Sequence, residues 1–209
     1  MRAKLFTSPL YRFFNRIADL ICVSLLTLLF SIPLITVFAA ITAAHNVIQD
    51  MVFGTESTIV KKYWVSFRES FKHATTTGFI LFVSLAIALC NFICFPSQFT
   101  GISVVMFHVL FGILLVAILT LGSIILPLIA RYKNPIRQHF KNTVILCIYS
   151  PIRMLFVTFI NILPLLLVIF NPAFFLYTLA FWTFMGIGIV SYLTNLLLKS
   201  TLSRLESIP

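Results

Sequence analysis

Charge is scarce in this sequence. Only 10% of its 209 residues are Asp, Glu, Lys or Arg, and the acids number five. A soluble globular chain averages about 25% charged residues. The deficit excludes a soluble fold. With 60% hydrophobic residues and a mean hydropathy of +1.08, the chain reads as a polytopic membrane protein, an all-α transmembrane helix bundle. Room for a separate soluble domain is also missing. The longest stretch outside the apolar runs, about 50–74, is too short to hold a core of its own. Residues 1–209 therefore form a single integral membrane domain.

Catalytic and metal-ligating patterns are lacking too. There is no P-loop, HExxH or GxSxG, and no pair of acids deep in two different runs. Asp19 is the one acid inside an apolar run, fewer than an ion-coupled pump usually carries. The cytoplasmic EAA-type loop of an ABC permease is also absent. The expectation is a protein that is not an enzyme, with no catalytic residues, no cofactor and no metal. The four cysteines, Cys22, Cys90, Cys94 and Cys147, all lie in apolar runs, with no CxxC and no adjacent His. They read as small buried hydrophobes.

What is present is a series of apolar runs at 18–44, 75–95, 102–130, 143–170 and 172–198. A helix needs about 20 residues to cross the ~30 Å hydrocarbon core. The net charge of +10 would suggest nucleic acid in a soluble protein, but here the cations flank the runs. They predict a partner in the bilayer's anionic cytoplasmic leaflet and no nucleic acid. The N-terminus has the outline of a signal peptide. Its apolar stretch is too long for one, and an uncleaved first segment is expected.

Whether run one crosses once or twice decides the topology. Five spans would leave Arg2, Lys4, Arg12 and Arg16 outside; six would put all 15 cations inside. The positive-inside rule favours six spans, with a hairpin at Pro33. Ser8-Pro9 reads as a helix start, and Ser31-Ile32-Pro33 disfavours helix before the proline. The return leg carries Thr36, Thr42, His45, Asn46 and Gln49, costly against lipid, and Ala39, Ala40, Ala43 and Ala44, which permit close helix contact. It should be buried among other helices. FPSQFTG (95–101) and Asn171-Pro172 read as uncharged outer turns. FRESFK (67–72) and IRQHFK (136–141) form a faint repeat that suggests helical-hairpin units 1–54, 55–131 and 132–209. Both termini are then cytoplasmic.

Several polar and aromatic residues are candidates for interaction. Arg12, Asn15, Arg16 and Asp19 fall at i, i+3, i+4 and i+7, one polar helix face, on which Asp19 should pair with Arg16 or Arg12. Tyr63, Trp64, Phe67 and Phe71 recur at helical spacing beside Arg68 and Lys72. They read as an interfacial helix with aromatics at headgroup level, serving as an anchor or a docking surface. Tyr132, Ile136 and Phe140 form a similar stripe. Arg153 follows Ser150-Pro151: either 135–150 lies along the interface and the crossing begins near 152, or Arg153 snorkels from a long helix. Asn161 and Pro164 lie deeper, and His108 reads as a structural histidine.

SPLYRFFNRIADLICVSLLTLLFSIPLIT, followed by AAITAAHNVI and later by FRESFKHAT, resembles the YesL-like family of bacterial integral membrane proteins, a domain of unknown function. That family often has Gly-Pro where this chain has Val37-Phe38. The resemblance implies a bacterial cell-membrane protein with an accessory role in carbohydrate ABC uptake, with importer permease subunits as partners. It supplies no catalytic residues. The alternative is a small transporter or channel, acting alone or as an oligomer.

Overall fold

The computed structural model describes residues 9–54, 58–94 and 101–206, and side chains within 13–54, 58–94 and 101–202. The fold is all-α. Helices α1 (Pro9–Phe30), α2 (Val37–Phe53), α3 (Ile59–Cys94), α4 (Ile102–Arg131), α5 (Ile136–Tyr149) and α6 (Pro151–Phe170) follow in order. Two short helices, α7 (Pro172–Tyr177) and α8 (Leu179–Phe181), lead through a π-helical turn at Trp182–Gly186 into α9 (Ile187–Glu206). Among the described residues, six segments are long and apolar enough to cross a membrane: Phe13–Phe30, Leu34–Phe53, Ile59–Cys94, Ile102–Arg131, Pro151–Phe170 and Leu179–Leu202.

Run one is a hairpin. Its first leg, α1, has 22 residues and spans about 33 Å at 1.5 Å per residue. The chain reverses at Ser31–Pro33, and a 3₁₀ turn at Leu34–Thr36 opens the return. The Thr36 hydroxyl lies 2.5 Å from the Phe30 carbonyl and 2.6 Å from that of Pro33, tying the reversal together. At the other end of the hairpin, Arg16 Nη1 donates to Met51 O at 2.7 Å. The return leg is enclosed as its polarity requires: ten of the 17 residues of α2 are buried, including Ala39, Ala40, Ala43 and Ala44. Gly54, at φ 82, ends α2 in a left-handed cap.

Three expectations need correction. Residues 63–72 are no separate interfacial helix. They are early turns of α3, which runs unbroken for 36 residues, about 54 Å against a ~30 Å core. Tyr63 and Phe67 are buried within the bundle and face Phe30 of α1, at 5.6 and 5.0 Å between ring centroids. Aromatic spacing is the same for a headgroup belt and for a helix–helix seam, and here the seam won. Run 172–198 does not cross from Pro172: the chain breaks at Thr178 and the candidate span is Leu179–Leu202. Cys90 and Cys94 lie on the exposed outer surface of α3 rather than in the core, and Cys22 and Cys147 are half-buried. In a bilayer the apolar exterior holds such residues as comfortably as the interior does.

The helix break that the first of the two alternatives for Arg153 called for is present. Helix α5 stops at Tyr149 and α6 starts anew at Pro151, with the proline in the first turn. Asn171 caps α7, its Oδ1 accepting from Phe174 N at 3.0 Å. The Ser8 cap and the 95–100 portion of the other turn lie outside the described residues.

Candidate functional site

Helix α2 is the hub of the bundle, packing against α1, α3, α4 and α9. Its polar side chains meet partners from far along the chain. Asn195 of α9 is fully buried; its Nδ2 donates to His45 Nδ1 at 2.9 Å and to Ser191 O at 2.8 Å. Its Oδ1 accepts from Gln49 Nε2 at 3.1 Å, and the same amide donates to Pro127 O of α4 at 2.8 Å. Three residues before Gln49, Asn46 Nδ2 donates to Ala130 O. These bonds join α2, α4 and α9 where each unsatisfied polar group would be costly. Asn161 of α6 adds a bond to Thr194 Oγ1 at 2.9 Å. Close backbone approach completes the seam: Gly188 N donates to Ser24 Oγ at 2.9 Å, and a Cβ on Gly188 would sit 2.6 Å from Leu20 O.

The C-terminal end of α2 is ringed by cations. Arg16 bonds Met51 O, and Lys199 Nζ donates to Val52 O at 2.9 Å. Arg131 lies 4.0 Å over the Phe53 ring, with Lys199 at 5.4 Å from the same ring. Lys62 pairs with Asp50. Helix C-terminal carbonyls are orphaned and carry the negative end of the macrodipole, so cations belong there. Basic residues from α1, α3, α4 and α9 thus converge at one end of the bundle. Arg153 is at that end too, bonding Ser200 Oγ and, at 2.7 Å, Thr201 Oγ1.

Beside this ring, α3, the end of α4 and the start of α5 flank an open cavity of about 1100 Å³. Lys61, Lys62, Arg131 and Lys133 line it, with Glu69 as the one carboxylate among the described residues. Glu69 is already engaged by Lys133 at 2.9 Å. His139 of α5 also lines the cavity; it is 1% exposed, and its Nδ1 has no hydrogen-bond partner. Burial holds the His139 imidazole below its ordinary value. The neighbouring His73 pushes in the same direction, and the Asn134 backbone opposes them.

Arg16 turns to Met51 O; Asp19 feels its charge but makes no ion pair among the described residues, and Asn15 is exposed. The Arg12 side chain lies outside the described set. Pro33 is exposed at the hairpin turn. Trp64, Arg68, Phe71 and Lys72 are exposed along α3, with Trp64 stacked on Phe67 at 6.0 Å. They stand on α3, apart from His45 and Asn46 of α2, which bond Asn195 and Ala130. His108 bonds its own helix at Val104 O, 2.8 Å away. Asn195 and His139 were not singled out from sequence. A lone Asn in LTNLLLKS and a His within IRQHFK carry no local mark of burial.

Residues 20–92 match the family described as protein of unknown function, DUF624. The matched stretch takes in the second half of α1, the Pro33 reversal, α2 and nearly all of α3. It contains His45, Asn46, Gln49 and the α3 side of the cavity, while Asn195 and His139 fall beyond it. The chain is a multi-pass membrane protein, and its residues 20–92 are similar to that family of unknown function. No curated protein and no solved structure matches it.

Proposed function

We propose that the chain is a non-catalytic accessory subunit of the cell membrane that assists a carbohydrate ABC importer. The observation that carries the non-catalytic half is the engagement of the embedded polar groups. Asn195, Gln49, Asn46 and Asn161 bond one another's helices, and His45 Nδ1 accepts from Asn195. Groups held this way fix helices in register rather than turn toward a substrate. The importer half rests on the resemblance to YesL-like proteins, whose role that resemblance implies. The exposed Trp64, Arg68, Phe71 and Lys72 on α3 are the contact surface for the permease subunits. By the positive-inside rule the basic end of the bundle, with both termini, faces the cytoplasm.

Purification of a tagged copy from its native membranes in mild detergent tests this. Importer permease subunits should accompany it, and Trp64→Ala with Arg68→Ala should reduce their recovery. Repeated absence of permeases would sink the importer reading. Solute flux into liposomes holding only this protein, lost on Asp19→Asn or His108→Ala, would favour the transporter alternative.

A further inference from the structure

We propose that the cavity between α3, α4 and α5 binds the phosphate group of an anionic ligand. Charge supports it first. Among the described residues, four basic side chains line the cavity against one carboxylate, and that carboxylate is paired with Lys133. Asp50, behind Lys62, is paired as well. Lys61 is exposed at the cavity and makes no ion pair among the described residues. Cations arriving from α3 on one side and from Arg131 and Lys133 on the other suit an anion with several oxygens rather than a single carboxylate.

His139 supplies the second, independent observation. A buried ring nitrogen without a partner is costly, and native structures nearly always satisfy such atoms. An anion oxygen in the cavity would accept from Nδ1–H and remove that deficit. Ser66 and Ser70 add hydroxyls to the same lining. The volume, about 1100 Å³, admits a phosphate together with its organic substituent. That substituent can be soluble or the acyl glycerol of a lipid; the phosphate chemistry is common to both. The site is independent of the importer reading, because the purified chain alone should bind.

The test uses purified full-length protein and two probes. Inorganic phosphate is titrated calorimetrically into the detergent-solubilised protein. Retention of phosphatidylglycerol over phosphatidylcholine is read by native mass spectrometry after release from mixed-lipid nanodiscs. Saturable binding of either probe is expected, weakened about tenfold by Lys61→Gln, as for loss of one charge-assisted hydrogen bond. His139→Gln should weaken it as well. If that buried variant fails to fold, the exposed Lys61 variant still decides. Lys141→Gln, exposed on α5 and outside the cavity lining, should bind as wild type does. Phosphate binding without lipid retention identifies a soluble ligand, and the converse identifies a headgroup. No saturable effect of either probe, or equal weakening by Lys61→Gln and Lys141→Gln, overturns the proposal.

Discussion

Replacing Asn195 with Leu should unlock the seam between α2 and α9. The amide joins those helices by two bonds, one to His45 Nδ1 and one from Gln49 Nε2. Its third bond, to Ser191 O, stays within its own helix and contributes little between helices. Interhelical hydrogen bonds in membrane proteins are worth about 0.6 kcal/mol on average and about 1.7 kcal/mol at most. Two such bonds give an expected loss of about 1–3 kcal/mol. Gln49 keeps Pro127 O as a partner, but His45, 2% exposed, is left with an unpaired Nδ1. The assay is the fraction folded across an SDS titration in mixed micelles. Asn91→Leu is the control, since the Asn91 amide bonds only its own helix at Ile87 O, and a change within about 0.5 kcal/mol is expected. A double-mutant cycle with Gln49→Leu should return a coupling of about 0.6–1.7 kcal/mol. Zero coupling, or an Asn195→Leu protein as stable as Asn91→Leu, would refute the reasoning.

Two further outcomes are expected. Gly188→Val should destabilise by about 1–3 kcal/mol, because its Cβ would meet Leu20 O at 2.6 Å and Ser24 Oγ at 2.8 Å. Gly112→Val, with nothing within 4 Å of its Cβ, should be close to neutral in the same titration. Acid should destabilise the protein in part through His139. Its folded value is lowered from 6.5, so the unfolded chain binds the proton first and stability falls as pH drops below about 6.5. His73, Lys133 and Glu69 share that cavity, so the diagnostic is a comparison of melting curves from pH 8 to 5. His139→Gln should lose less stability over that range than wild type, and an identical slope would contradict the assignment.

The fold was legible where physics acts over short distances. Counting cations around Pro33 was enough to expect a hairpin, because orientation depends on charge near span ends. The polarity of Thr42, His45 and Gln49 was enough to expect α2 to be enclosed, because lipid offers those groups no partner. Partner identity was not legible. His45 and Asn195 stand 150 positions apart, and no local pattern joins them. The stripe at Tyr63 and Phe67 had the right period, but period tells which residues share a face and not what that face meets. His139 shows the same limit. Its neighbours Arg137 and Gln138 are exposed, and only the packing of α5 against the rest of the bundle buries it.

The central claim is that residues 9–53 form two antiparallel crossings, so that all basic segments share one side. Single-cysteine reporters in a background lacking the four native cysteines test it directly. Ser8→Cys, Ile32→Cys and Thr58→Cys are each labelled with an impermeant maleimide on intact cells and after permeabilisation. The hairpin predicts that Ile32→Cys reacts on intact cells, while Ser8→Cys and Thr58→Cys react only once the membrane is opened. Reaction of Ser8→Cys from outside, with Thr58→Cys still protected, would mean a single kinked crossing and would contradict the account.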